Sequence, residues 1–266
     1  MDRSAFWESS TRADGPLLAT AIHDGHLLRD DIAEAIALGD RERFREEDPF
    51  TGEWISVGDR SVRANYSRFE VDLNRPRDKA VYINPEDAWG LQVWKTNLPP
   101  ESIALSLAEY DAFYAEMHRL LEDMRQSYGL FIVFDIHSYN VLRDGPHGDP
   151  ADPQLNPEVN IGTGTMDRDR WAPLIDRFIN DLRGYDYRGR SLDVRENVKF
   201  KGGQFPRWIH QTFPESACAL SIEFTKFFMD EWSGEPDHTQ LEEIRLALAS
   251  TVPGVKEVLQ SMGAKW

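Results

Sequence analysis

A single cysteine, Cys218, among 266 residues excludes a disulfide within the chain and any zinc site built from thiolates. A metal held by this protein must therefore rest on histidine and carboxylate. Positive charge is scarce as well. Thirty lysines and arginines face 46 acids, a net charge of -16, which argues against nucleic acid or an anionic membrane as partner. No apolar run approaches the ~20 residues of a membrane span. The stretch Met1–Trp7 lacks the basic and apolar regions of a secretion signal. With the lone cysteine, this leads us to expect a reducing, cytoplasmic setting. No Gly-x-Ser-x-Gly elbow occurs, which weighs against a serine-nucleophile hydrolase. There is no Pro/Gly/Ser linker, internal repeat or low-complexity tract, so residues 1–266 are expected to form one domain.

What is present alternates between strands and helices. Phe131-Ile132-Val133-Phe134 reads as an interior strand running into Asp135-Ile136-His137-Ser138. Leu17 to Ile22 reads as a second buried strand, running into His23-Asp24-Gly25-His26, and Ala219 to Phe224 as a third. Ser61 to Leu73 has strand character with interspersed arginines, and Glu46 to Thr51 reads as a polar turn. Asp30 to Leu38 reads as a short helix. A long helix is predicted after Pro99-Pro100 and up to Gly129, its apolar stripe running from Ile103 through Tyr110, Met117 and Leu121 to Tyr128. Further helices are expected over Asp169–Leu182 and Gln240–Met262. The alternation predicts an α/β sandwich.

Open α/β sheets bind ligands at the carboxyl ends of their strands. His23 and His137 each stand just past a predicted core strand, and a catalytic zinc site uses three protein ligands of imidazole or carboxylate type. Candidates for the third are His26, three residues from His23, and the acidic run Glu46-Glu47-Asp48. Asn74-Arg75 pairs an amide with a planar guanidinium suited to a carboxylate or a polarised carbonyl. These two lie in Arg60–Lys79, whose six basic and three acidic residues make it net +3 within a chain of -16, a pocket for an anionic small molecule. Glu223 lies inside the apolar run Leu220–Thr225. A carboxylate there is costly unless it is paired, for instance with Arg207, or serves as a general base. In Lys201-Gly202-Gly203 the glycines allow close backbone approach to a ligand. His118, His147 and His238 read as surface residues, and His210 as either packed or lining the site.

These pieces together resemble the N-formylglutamate amidohydrolase family, a branch of the zinc-dependent exopeptidase-like fold. The resemblance runs from about Leu17 to Asp230. It rests on His23-Asp24-Gly25, Tyr66-Ser67-Arg68, Asp72-Leu73-Asn74-Arg75-Pro76, Asp135-Ile136-His137-Ser138, Lys201-Gly202-Gly203 and a strand carrying Glu223. The chain has Ile22 where the family has proline and Gln204 where it often has tyrosine, marking a subgroup whose substrate need not be N-formylglutamate itself.

The resemblance implies an α/β fold with a mixed central sheet flanked by helices and one zinc, or another divalent ion, at its carboxyl edge, held by His23, His137 and Glu47, with Asp48 and then His26 as alternative third ligands. It implies Glu223 as general base and Asp135 as a group that orients His137. Arg75, a second catalytic group, and Asn74 would hold the substrate carboxylate or the developing oxyanion, with Arg68 as a second anchor and Gly203 and Arg207 also binding substrate. The implied reaction is hydrolysis of a small N-acyl, most plausibly N-formyl, acidic amino acid. A carboxypeptidase-like or other N-acyl amino acid hydrolase acting on a larger amide, and a non-catalytic anion-binding domain, stand as alternatives.

Overall fold

The computed structural model describes residues 5–266, so the first four positions of the Met1–Trp7 stretch lie outside the described residues. Seven strands form one sheet: β1 (Trp7–Thr11), β2 (Leu17–Ala21), β3 (Arg60–Ala64), β4 (Phe131–Tyr139), β5 (Val159–Gly162), β6 (Val194–Glu196) and β7 (Ala217–Thr225). Their order is β1-β3-β2-β4-β7-β5-β6. Strands β3, β2, β4 and β7 are mutually parallel, while β1 and β5 pair antiparallel to their neighbours β3 and β7. The mixed sheet flanked by helices is the architecture that the family resemblance implies.

Seven α-helices accompany the sheet among the described residues: α1 (Asp30–Ala35), α2 (Asp40–Glu46), α3 (Thr51–Trp54), α4 (Pro100–Tyr128), α5 (Ala172–Gly184), α6 (Gln204–Thr212) and α7 (His238–Ser261). Side chains alternate across a strand, so β4 serves two cores. Phe131 and Val133 pack with Met117 and Leu121 of α4 and Phe205 of α6. Ile132, Phe134 and Ile136 pack with Phe178 of α5 and Leu248 of α7. With both faces covered, every residue of β2, β4 and β7 is buried, which is why these strands read as unbroken apolar runs. Among the described residues no helix is long and apolar enough to cross a membrane.

Two segments depart from the sequence-based expectation. The strand expected over Ser61–Leu73 ends at Ala64. Beyond it the chain winds, because its polar side chains turn inward: Glu70 accepts from the Arg29 backbone N–H at 2.7 Å and guanidinium at 2.8 Å, and Asp72 enters the site described below. The polar run at Glu46–Thr51 is also more structured than a turn. Helix α2 extends through Glu46, and the reversal into α3 is made by Phe50, whose φ of +68° lies in the left-handed region.

Candidate active site

Register places the chemistry. Parallel pairing of β4 with β7 sets His137 directly beside Glu223 and Asp135 beside Ser221. On the other side of β4, Thr20 of β2 pairs with Asp135, and its hydroxyl donates to the Asp135 carboxylate at 2.9 Å. His23 follows just past the end of β2. Gly25 after it is obligatory, because a Cβ there would overlap the Asn65–Tyr66 backbone, against which His26 N–H is hydrogen-bonded at 3.1 Å.

The side chains of His23, His137 and Asp48 converge, each buried, with one potential ligand atom apiece within 4.8 Å of the others. Asp48 Oδ2 lies 2.9 Å from Nδ1 of His137 and 3.5 Å from Nδ1 of His23. Each ring's remaining nitrogen faces another buried carboxylate: His23 Nε2 lies 2.8 Å from Asp72 and His137 Nε2 lies 3.0 Å from Asp135. Carboxylates so placed fix ring orientation and make the opposite nitrogen a stronger ligand.

The electrostatics follow from this crowding. Burial alone would raise the Asp48 carboxyl, but hydrogen bonds from His137 and His23 outweigh it and hold the group far below the usual range. Burial likewise opposes charge on His137, yet Asp135 and Glu223 raise its pKa well above that of a free imidazole. Glu223 moves the other way. Burial, reinforced by the charges of Asp48 and Asp135, pushes its carboxyl up to about 7. Two imidazole nitrogens and one carboxylate oxygen meeting amid an excess of buried acids are a donor set and a charge balance that fit a divalent cation.

Asp48, not Glu47, is thus the carboxylate the structure brings to the histidines. Glu47 is fully buried on the other side of its turn. Its oxygens are engaged by Arg43 at 3.1 Å, by the Ser67 hydroxyl and by His26 at 2.5 Å. Those three partners hold the carboxylate of Glu47 away from the converging group, and the same contacts occupy His26. Adjacent residues at a sharp turn point in different directions, so of the three candidates Asp48 is the one whose carboxylate meets the two histidines.

A cleft of about 310 Å³ opens over the cluster, lined by His23, Asp48, His137 and Glu223 and by the cationic side chains of Arg68, Arg75, Arg143, Lys201 and Lys226. Arg68 is tied to Asp72 at 2.8 Å, and its guanidinium packs over Trp89 at 5.2 Å. Arg75 is less committed, 3.9 Å from Asp72 and stacked over Tyr82 at 5.1 Å. Asn74 lines the same wall, but its Oδ1 accepts from Phe205 N–H at 2.9 Å, which docks the loop after Lys201 against the site. A Cβ on Gly203 would overlap the Asn74 amide, so this glycine serves an approach of chain to chain.

Arg207 lies outside the cleft. Helix α6 buries Phe205, Pro206, Ile209 and His210, which leaves Arg207 exposed on the opposite face. His210 proves to be structural. Its Nε2 accepts from Ala219 N–H at 2.9 Å, leaving Nδ1 to pair with Thr165 at 3.0 Å, and burial lowers its pKa to about 4. His118, His147 and His238 are exposed.

Sequence reasoning missed Asp72, Lys226, Arg143 and Trp89. The first two carry the signal that revealed Glu223, a charged residue within an apolar run: Phe69, Val71 and Leu73 surround Asp72, and Phe224, Phe227 and Phe228 surround Lys226. Arg143 and Trp89 sit on loops without periodicity and carried no comparable signal.

Two solved structures share this fold over nearly the whole chain. N-formylglutamate amidohydrolase from Ralstonia eutropha superposes with a TM-score of 0.72 at 18% identity, covering 97% of this chain and 99% of that one. A gene product from Agrobacterium tumefaciens gives 0.63 at 17% identity, covering 94% and 95%. In sequence, the N-formylglutamate deformylase of Pseudomonas aeruginosa is 26% identical over 281 aligned positions, 96% of this chain and 95% of that protein. Fold and relatives together define an enzyme that hydrolyses linear amide bonds. The chain belongs to the N-formylglutamate amidohydrolase family, whose model matches residues 15–228 and so spans every residue of the cluster.

Proposed function

We propose that the protein is a cytoplasmic, zinc-dependent amidohydrolase that cleaves a small N-acyl acidic amino acid, in the first place its N-formyl derivative, to the free amino acid and formate. The convergence of His23, His137 and Asp48 beside a register-locked Glu223 carries this reading. His23 and His137 would hold the ion through Nδ1 and Asp48 through Oδ2, with Asp72 and Asp135 orienting the rings. A bound ion of this kind lowers the pKa of water and polarises the acyl oxygen.

The chain's own groups account for the rest. The Glu223 carboxylate takes a proton from the attacking water and passes it to the nitrogen of the leaving amine as the C–N bond breaks. Burial and the neighbouring Asp48 and Asp135 raise its carboxyl, which makes it the stronger base. Arg75, the guanidinium with the loosest protein partner on the Asn74 wall, binds the substrate's α-carboxylate. A cleft of about 310 Å³ stands at the small end of ligand sites, which favours an acyl amino acid over a larger amide.

Glu223→Gln tests the mechanism. The variant should keep its metal, measured by elemental analysis, while kcat falls by roughly 10²–10⁴-fold. Normal turnover would remove Glu223 from the chemistry.

A further inference from the structure

We infer that Arg143 decides which substrate side chain the cleft accepts, by pairing with a carboxylate distal to the scissile amide. The inference rests on the amidohydrolase reading and deepens it. It comes from accounting for the positive charges around the cleft. Five cationic side chains line it among the described residues. Arg68 is bound to Asp72 at 2.8 Å and to the Tyr82 hydroxyl at 3.2 Å. Lys226 is buried and donates to the carbonyls of Arg45 and Glu47. Lys226 cannot turn to a ligand without leaving two buried carbonyls unpaired, and Arg68, only 15% exposed, is held by its two bonds and by Trp89 beneath its guanidinium. Arg75, Lys201 and Arg143 remain. Arg75 is assigned above to the α-carboxylate, and it cannot also bind a second carboxylate some four bonds away.

Arg143 has the properties of that second anchor. Its side chain is 53% exposed, and its one ion pair is a loose contact of 3.5 Å with Glu46. Glu46 does not depend on it, since its carboxylate also accepts from Trp89 Nε1 at 2.9 Å and from Arg45 at 3.2 Å. The guanidinium can therefore swing to a substrate without stranding a buried acid. Its backbone root is fixed: Val141 and Leu142 N–H donate to Glu231 at 2.8 and 3.0 Å, and Trp232 Nε1 donates to the Leu142 carbonyl at 2.9 Å. The anchored segment leaves β4 just beyond His137, so the charge is held near the cluster.

Arg75 and Arg143 terminate one continuous wall, in which Arg75 stacks on Tyr82, Tyr82 meets Trp89 edge-on at 6.0 Å, and Trp89 bonds Glu46, the partner of Arg143. Two loosely paired guanidiniums at the ends of one wall suit a ligand with two carboxylates. Lys201 is exposed, a point charge without the planar fork that matches a carboxylate.

The experiment compares N-formylglutamate, its neutral isostere N-formylglutamine and N-formyllysine as substrates of the zinc-loaded full chain, in wild type, Arg143→Gln and Lys201→Gln. Wild type should prefer the glutamate compound. Arg143→Gln should lower the glutamate-to-glutamine ratio of kcat/KM by about 10- to 100-fold, mainly through KM, because the lost contact is made equally in ground and transition states. Lys201→Gln should keep most of the preference. An Arg143→Gln variant that retains the preference, or its transfer to Lys201, would overturn the inference and leave the proposed function standing, whereas a wild type that hydrolyses these substrates without preferring glutamate would overturn the inference and the acidic specificity but leave the amide hydrolysis standing. A wild type that hydrolyses none of the three overturns both.

Discussion

At the scale of single residues, the site is a contest between burial and pairing, and each outcome can be read from the partners present. Glu223 is pushed up because nothing offsets its burial enough, whereas Asp48 is pulled down because two imidazoles face it. His210 offers a cleaner measurement, being away from the cluster and set by burial first. Its pKa falls to about 4 in the folded protein and is about 6.5 in an unfolded chain. The unfolded state therefore binds more protons between these values, and stability rises with pH across that window. The contribution is complete above pH ~6.5, is lost as pH falls toward 4, and amounts to something on the order of 3 kcal/mol. Urea unfolding of wild type and His210→Gln at a series of pH values should show this slope in the first and its loss in the second. Glu47 and Asp48 carry a related lesson. Both were visible as acids beside Pro49, but which one reached the histidines depended on the direction each side chain leaves a sharp turn, and a one-dimensional pattern does not record that direction.

At the scale of elements, the site is an agreement between strand ends and turns. Strands β2, β4 and β7 were legible because a strand buried on both faces must be apolar throughout. Helix α4 was legible because proline opens it and one apolar stripe runs its length. Strands β5 and β6, of four and three residues, are too short for a periodic signal. The turn bearing Asp48 depends on a contact from another element. Lys226, directly after β7, donates to the carbonyls of Arg45 and Glu47 and so ties that turn to the strand carrying Glu223. Lys226→Met keeps the aliphatic bulk but removes the donor. It should weaken zinc affinity by roughly 10–100-fold in a chelator competition, as loss of a contact that orients a ligand commonly does. An unchanged affinity would show that the turn holds its shape without the lysine.

At the scale of the whole molecule, a chain of net charge -16 concentrates five cations around one cleft above a cluster of buried acids. The ligand atoms of His23, Asp48 and His137 are gathered only in the folded chain, so metal binding should couple to folding. With free zinc at 100 times its dissociation constant, stabilisation should be about 2.7 kcal/mol. Differential scanning calorimetry should record a rise in the unfolding midpoint for wild type, and little or none for Asp48→Asn. A midpoint indifferent to zinc in wild type would count against the metal site.

The sequence by itself determined the α/β class, the three buried strands and the long helix, because each is written in local periodicity that burial on one or two faces imposes. It also placed His23, His137 and Glu223 toward the carboxyl ends of buried strands, though β4 and β7 run two residues beyond His137 and Glu223, and the motifs around Asp72–Pro76 and Asp135–Ser138 carried the family resemblance. Tertiary structure alone decided that Asp48 completes the cluster while Glu47 is held by Arg43, Ser67 and His26. It alone decided that Arg207 faces outward and that Asp72, Lys226 and Arg143 come to the site from segments far apart in sequence. The physical reason is common to all of these. Burial pattern is a property of a segment, whereas the partner a charged side chain finds is set by which segments the sheet order and register bring alongside it.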